Sequence, residues 1–163
     1  MGIVDDLLTA NRRYAEQFDK GHLGGSPSKR LAVVTCMDAR INVYAALGLE
    51  EGQAHVIRNA GGVVTDDVIR CLVISQRLLG TRAIVVIQHT ECGMLTFRDD
   101  ELRDQIEAEV GIRPPLAFEA FRDLEQNVRQ SIARLQASPF IPNKNEVRGF
   151  IYDVRTGRLH NVR

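Results

Sequence analysis

The sequence has no excess of charge of either sign, with 21 Lys and Arg against 21 Asp and Glu in 163 residues. No basic tract stands out, so nothing marks the chain for nucleic acid or an acidic surface. It also lacks any run of about 18 apolar residues, so no helical membrane span is expected. The opening segment MGIVDDLLTANRRY runs acidic then basic. It lacks the basic start, apolar middle and small-residue cleavage site of a secretory signal. Asp6 stands where a myristoylation motif needs Ser or Thr. The cytoplasm is therefore the expected location. Cysteine is scarce and odd in number: Cys36, Cys71 and Cys92. Three thiols argue against a disulfide framework and leave metal binding, catalysis or burial. With no C-x-x-C motif, a thiol-redox protein is disfavoured.

What is present is a 44% apolar chain, enough for the core of one domain over residues 1–163. Residues 5–19 read as an amphipathic helix, with Leu7, Leu8, Tyr14 and Phe18 as its apolar positions. The run LAVVTC, 31–36, suits a strand buried on both faces. A short helix over 42–48, a strand from 54 into the glycine turn at 62 and a helix from Thr65 to Gly80 follow. RAIVVIQH, 82–89, is the clearest buried strand. Helices are expected over 99–111 and 117–136, and VRGFIYDVRTGRLHNV reads as a strand, a turn and a return strand. Alternating strands and helices predict an α/β fold with a mainly parallel β-sheet flanked by α-helices.

Chemistry gathers where the two most apolar strands end. Cys36 closes one and opens C-M-D-A-R. His89 closes the other, and three residues later comes Cys92, in H-T-E-C. In open α/β sheets, functional groups collect beyond the carboxyl ends of the strands. The H-x-x-C spacing spans one tight turn, and Cys36 joins it if the two strands are neighbours. Two thiolates and an imidazole suit zinc, and three protein ligands leave a fourth tetrahedral position open. Cys71 falls in mid-helix and reads as a packed core thiol. Asp38 can accept a hydrogen bond or proton from a metal-bound water, or can displace that water by binding the metal itself. Arg40 can hold Asp38 in a bidentate pair and keep it off the metal. A structural salt bridge is the plainer reading of the two.

C-M-D-A-R with H-T-E-C-G, and R-N-A-G-G at 58–62 between them, resembles the β-class carbonic anhydrases, in particular the short actinobacterial type. The resemblance spans essentially the whole chain. It implies a β-carbonic anhydrase-like fold, zinc on Cys36, His89 and Cys92, and Asp38 with Arg40 as a catalytic dyad. It implies reversible hydration of CO2 to bicarbonate by zinc-bound hydroxide. It further implies a homodimer or homotetramer with the active cleft at the subunit interface. Glu91 stands where many members have Asp and is expected not to be a ligand. Some members carry a bicarbonate inhibitory site that uses a tryptophan, and this chain has none.

Gly61, Gly62 and Gly93 are expected near the substrate, where glycine lets backbone N–H groups approach a small oxyanion. Arg58 and Asn59 are divided evenly between site and scaffold. His22, His55 and His160 are expected to be exposed or locally bonded. Because two thiolates offset the charge of zinc, activity is expected to rise on the alkaline side of neutral. CS2 or COS in place of CO2, or a non-catalytic zinc protein closed by Asp38, are the competing readings.

Overall fold

The computed structural model describes residues 2–163. Five strands form one sheet: β1 Leu31–Cys36, β2 Ala54–Asn59, β3 Ala83–His89, β4 Val147–Tyr152 and β5 Leu159–Val162. Their order is β2-β1-β3-β4-β5, all parallel except β5, which returns antiparallel to β4. The expected mainly parallel sheet is therefore present. β1 and β3 are neighbours, with Thr35 opposite Ile87. That adjacency brings Cys36 and His89 to the same sheet end.

Both faces of the central strands are buried, which is why LAVV and AIVVI read as continuous apolar runs. Ala32, Val34, Ile84 and Val86 pack with Val68, Leu72 and Leu135 on one face. Val33 and Ile87 pack with Ile41, Val43, Met94 and Phe121 on the other. Each such buried Val, Leu, Ile, Met or Phe side chain contributes about 1.5–3 kcal/mol, so strand positions at the site are held by the bulk of the core.

The helices are α1 Ile3–Glu16, α2 Val43–Leu47, α3 Asp66–Arg77, α4 Asp99–Val110 and α5 Leu124–Ala137. Thr65 caps α3 by accepting from the Val68 N–H, and Asn42 caps α2 by accepting from Ala45. The first helix begins two residues earlier than the sequence suggests and stops at Glu16. A larger difference lies at α5, expected from 117 but beginning at Leu124. The Asp99 carboxylate at the start of α4 accepts from the backbone N–H groups of Phe118, Glu119 and Ala120, at 2.9, 3.2 and 2.8 Å. With their donors drawn sideways and Glu119 at φ +61°, these residues cannot continue a helix. Asp123 then caps α5 through the Gln126 N–H at 2.8 Å.

Cys71 is not the core thiol that its mid-helix position suggests. It is half-buried on the flank of α3, between Asp67 and Arg70.

Candidate metal centre

Cys36 ends β1, His89 ends β3, and Cys92 follows one turn later. Their ligating atoms all lie within 4.8 Å of one another. Among the described residues, no other group of three or more His, Cys, Asp or Glu side chains is so placed. All three are buried, with relative exposures of 4%, 0% and 2%.

The imidazole orientation is fixed from behind. His89 Nδ1 lies 2.8 Å from the carbonyl oxygen of Thr90. A proton on Nδ1 donates there and leaves the Nε2 lone pair facing the thiols. Nε2 is buried and has no hydrogen-bond partner. An orphaned buried acceptor of this kind is rare, and here it points at two sulfurs.

The thiols are electrostatically unequal. Hydrogen bonding from Cys92 outweighs burial and, with help from His89 and the Asp38 and Gly61 backbone, lowers the Cys36 thiol to about 4. Cys92 is pushed strongly upward by the neighbouring Cys36 sulfur and by burial. Burial opposes a charge on His89, but the Cys36 sulfur and the Thr90 carbonyl outweigh it and raise the imidazole. One thiolate is thus accommodated without help, and a second needs a cation. The donor set, the orphaned nitrogen and the missing positive charge all fit a divalent metal ion with an affinity for sulfur and imidazole.

Asp38 is held beside this cluster, outside it. Its Oδ1 accepts from the Arg40 backbone N–H at 2.9 Å and from Nε at 3.0 Å, and its Oδ2 accepts from Nη2 at 2.7 Å. Oδ2 lies 3.7 Å from His89 Nε2. The Arg40 guanidinium keeps the carboxyl well below the usual carboxylate range. Arg40 also donates from Nη2 to the Glu91 carbonyl at 3.1 Å and from Nη1 to the Glu91 carboxylate at 3.4 Å. Glu91 points to the two arginines around it and is not in the sulfur–imidazole cluster.

The glycine segment serves these residues unequally. The Gly61 N–H points at Cys36 Sγ, at 3.3 Å. Gly62 packs beneath the strand ends, where a Cβ would stand 2.9 Å from the Cys36 backbone nitrogen. An open cavity of about 370 Å3 adjoins the cluster, lined among others by Asp38, Ala60, Gly61, Gly93, Met94 and Phe97. Gly61 and Gly93 therefore border the cavity, whereas Gly62 supports it from below. Arg58 donates to the carbonyls of Cys36, Ile41 and Asp38 at 2.8, 3.1 and 2.7 Å, so it shapes the loop after β1. Asn59 exchanges bonds with the backbone of Val63. Both are scaffold for the site. His55 is bonded far from the cluster, to Ser75 Oγ and the Gly25 carbonyl, while His22 and His160 are exposed.

Sequence reasoning missed Arg155, Phe121 and Asp99. Arg155 holds Glu91, and Phe121 packs beside Met94 in the apolar cluster that contains Cys36 and Cys92. No local spacing signals any of the three, since each acts across a long stretch of chain.

The sequence model described as carbonic anhydrase matches residues 31–159. A β-carbonic anhydrase of Mycobacterium tuberculosis is 54% identical over 99% of each chain. A carbon disulfide hydrolase of Saccharolobus solfataricus is 36% identical over 96% of this chain and 89% of its own. The crystal structure of carbonic anhydrase from Streptococcus mutans superposes with a TM-score of 0.94 at 46% identity, covering 100% of this chain and 99% of that one.

Proposed function

The chain belongs to the β class of the carbonic anhydrase family and catalyses the reversible hydration of CO2 to bicarbonate and a proton, and from that premise we propose that Cys36, His89 and Cys92 hold a zinc ion at the reacting centre. The observation that carries the metal reading is the buried His89 Nε2, unpartnered and within 4.8 Å of both thiols. Zinc bound there supplies Lewis-acid activation of a water molecule.

The remaining work falls to the chain's own residues. Thr90 fixes the His89 tautomer, and the Gly61 N–H stabilises negative charge on Cys36. Asp38, kept ionised by Arg40 and with Oδ2 3.7 Å from His89 Nε2, would accept a hydrogen bond from a water held beside the three ligands and so orient it toward substrate. Met94, Phe97 and Ala60 give the cavity its apolar wall, suited to a linear molecule without charge. The cavity is open to solvent, so buffer can reach the site to take up the released proton.

Released from Arg40, the Asp38 carboxylate would be an additional candidate ligand, which would make the pair a gate as well as a dyad. Replacing Asp38 by Ala separates the roles. Activity falls if the carboxylate assists catalysis and rises if it only plugs the fourth position.

Residues 1–163 are read as one domain, supported by a single sheet that carries both apolar clusters and the site. A homo-oligomer, dimer or tetramer with the cleft at the subunit interface, is supported by α1, which buries no residue within its own chain. A cytoplasmic location is supported by three free cysteines, since thiolate ligands must remain reduced. No helix of the described residues is long and apolar enough to cross a membrane.

The test is stopped-flow CO2 hydration from acid to alkaline pH, with zinc measured in the same preparation. Zinc near one per chain with fast hydration supports the assignment. A smooth rise with pH indicates a fourth position open to water, and a steep onset indicates Asp38 occupying it at rest. Full zinc without hydration at any pH overturns the reading.

A further inference from the structure

Three loops meet at the carboxyl end of the sheet: the exit of β1, the exit of β3 and the β4–β5 turn. They are joined by a ladder of alternating charge. Arg40, on the first loop, reaches both the carbonyl and the carboxylate of Glu91 on the second. Arg155, on the third, donates to the other carboxylate oxygen of Glu91, from Nε at 2.6 Å and Nη2 at 2.5 Å. Beside this ladder, the Thr90 N–H donates to the Tyr152 carbonyl at 3.0 Å, and the Val154 N–H donates to Thr90 Oγ1 at 3.1 Å. Glu91 itself sits at φ +55°, a backbone region that glutamate rarely occupies. That conformation places its carbonyl and its side chain on the same guanidinium.

Resting on the zinc reading of Cys36, His89 and Cys92, we propose that Glu91 and Arg155 are positioning residues that act through Arg40 to hold the Cys36 loop against the Cys92 loop and so preorganise the metal ligands. Cys36 and His89 end neighbouring strands, and Cys92 lies on the loop after β3, so the cost of bringing Cys92 to the other two is met before the metal arrives if the loops beyond the strands are already clasped. The clasp acts in the second layer of side chains, where loss of a partner weakens metal binding without removing a ligand. The pairs are exposed, so each effect is modest, and they work as a network rather than singly.

Charge alone and clasping make opposite predictions at Arg155. Removing its positive charge favours a bound cation, whereas removing the clasp loosens the site. The experiment compares the full-length parent with Glu91→Gln and Arg155→Ala by zinc titration against a competing chelator at one pH, and by thermal unfolding of the metal-free proteins. Each variant is expected to bind zinc about three- to tenfold more weakly, with metal-free unfolding temperature unchanged. Zinc binding by Arg155→Ala that equals or exceeds the parent's overturns the proposal. So does weakening that appears only in step with loss of metal-free stability. A parent that binds zinc normally while both variants match it defeats this inference alone. A parent that binds no zinc defeats the metal assignment and this inference together.

Discussion

At the scale of single residues, the site is a problem of protons as much as of geometry. In the metal-free protein, Cys92 is raised by the neighbouring Cys36 sulfur and by burial and keeps its proton near neutral pH, whereas Cys36, lowered to about 4, is already ionised. A metal must therefore expel the Cys92 proton, so its apparent affinity falls as pH falls. The expected slope near and below neutral is about tenfold per pH unit or steeper. Zinc competition titrations at several pH values measure it, and a flat profile contradicts the proton inventory. A second expectation concerns the glycines. Gly62→Ala puts a Cβ 2.9 Å from the Cys36 nitrogen and Thr35 carbonyl carbon, at φ +64°, where only backbone could give way. A loss of about 2–4 kcal/mol is expected in chemical denaturation, with zinc content falling alongside. Gly93→Ala, which meets nothing within 4 Å, serves as the control and should stay within about 0.5 kcal/mol. Residue-level reading of the sequence reached the three candidate ligands because their types and spacing are local to two strand ends. It grouped Gly61, Gly62 and Gly93 as alike, because a glycine in sequence does not say whether it faces a cavity, a sulfur or a neighbouring strand.

At the scale of elements, the strands were legible and one helix start was not. A strand buried on both faces announces itself as an unbroken apolar run, and β1 and β3 do so within a residue. The start of α5 was hidden because the group that decides it, the Asp99 carboxylate, lies about twenty positions upstream. Local propensity favours helix through A-F-E-A-F-R, and a single carboxylate taking three backbone donors overrides it. Asp99→Ala leaves those partly buried donors without their acceptor and frees the segment that carries Phe121 onto Met94. A loss of about 2–3 kcal/mol is expected, read as a lowered urea midpoint with unchanged slope. The neighbouring Asp100, whose side chain is 72% exposed, gives the comparison, and Asp100→Ala should change stability by no more than about 0.5 kcal/mol. Equal effects at the two positions would show that helix-start charge, rather than the three-fold capture, is what matters.

At the scale of the whole molecule, the unanswered demand is apolar surface. Ile3, Val4, Leu7, Leu8 and Tyr14 recur at helical spacing along one face of α1, and each is more than half exposed. The amphipathic pattern was plain in the sequence, but a periodic stripe does not say whether it is covered by its own chain or by another. Within this chain it is not covered, since α1 buries no residue. A contiguous stripe of this kind is poorly tolerated in water and points to a second copy as its partner. Leu7→Asp with Leu8→Asp puts two charges into that stripe while touching none of the metal-site residues. Sedimentation velocity should show the parent as a dimer or larger and the double variant shifted toward monomer. If the catalytic cleft is completed at the subunit interface, CO2 hydration per zinc falls with the assembly and recovers as protein concentration rises. If the variant dissociates and hydration per zinc is unchanged, the cleft is complete within one chain, and α1 serves assembly alone.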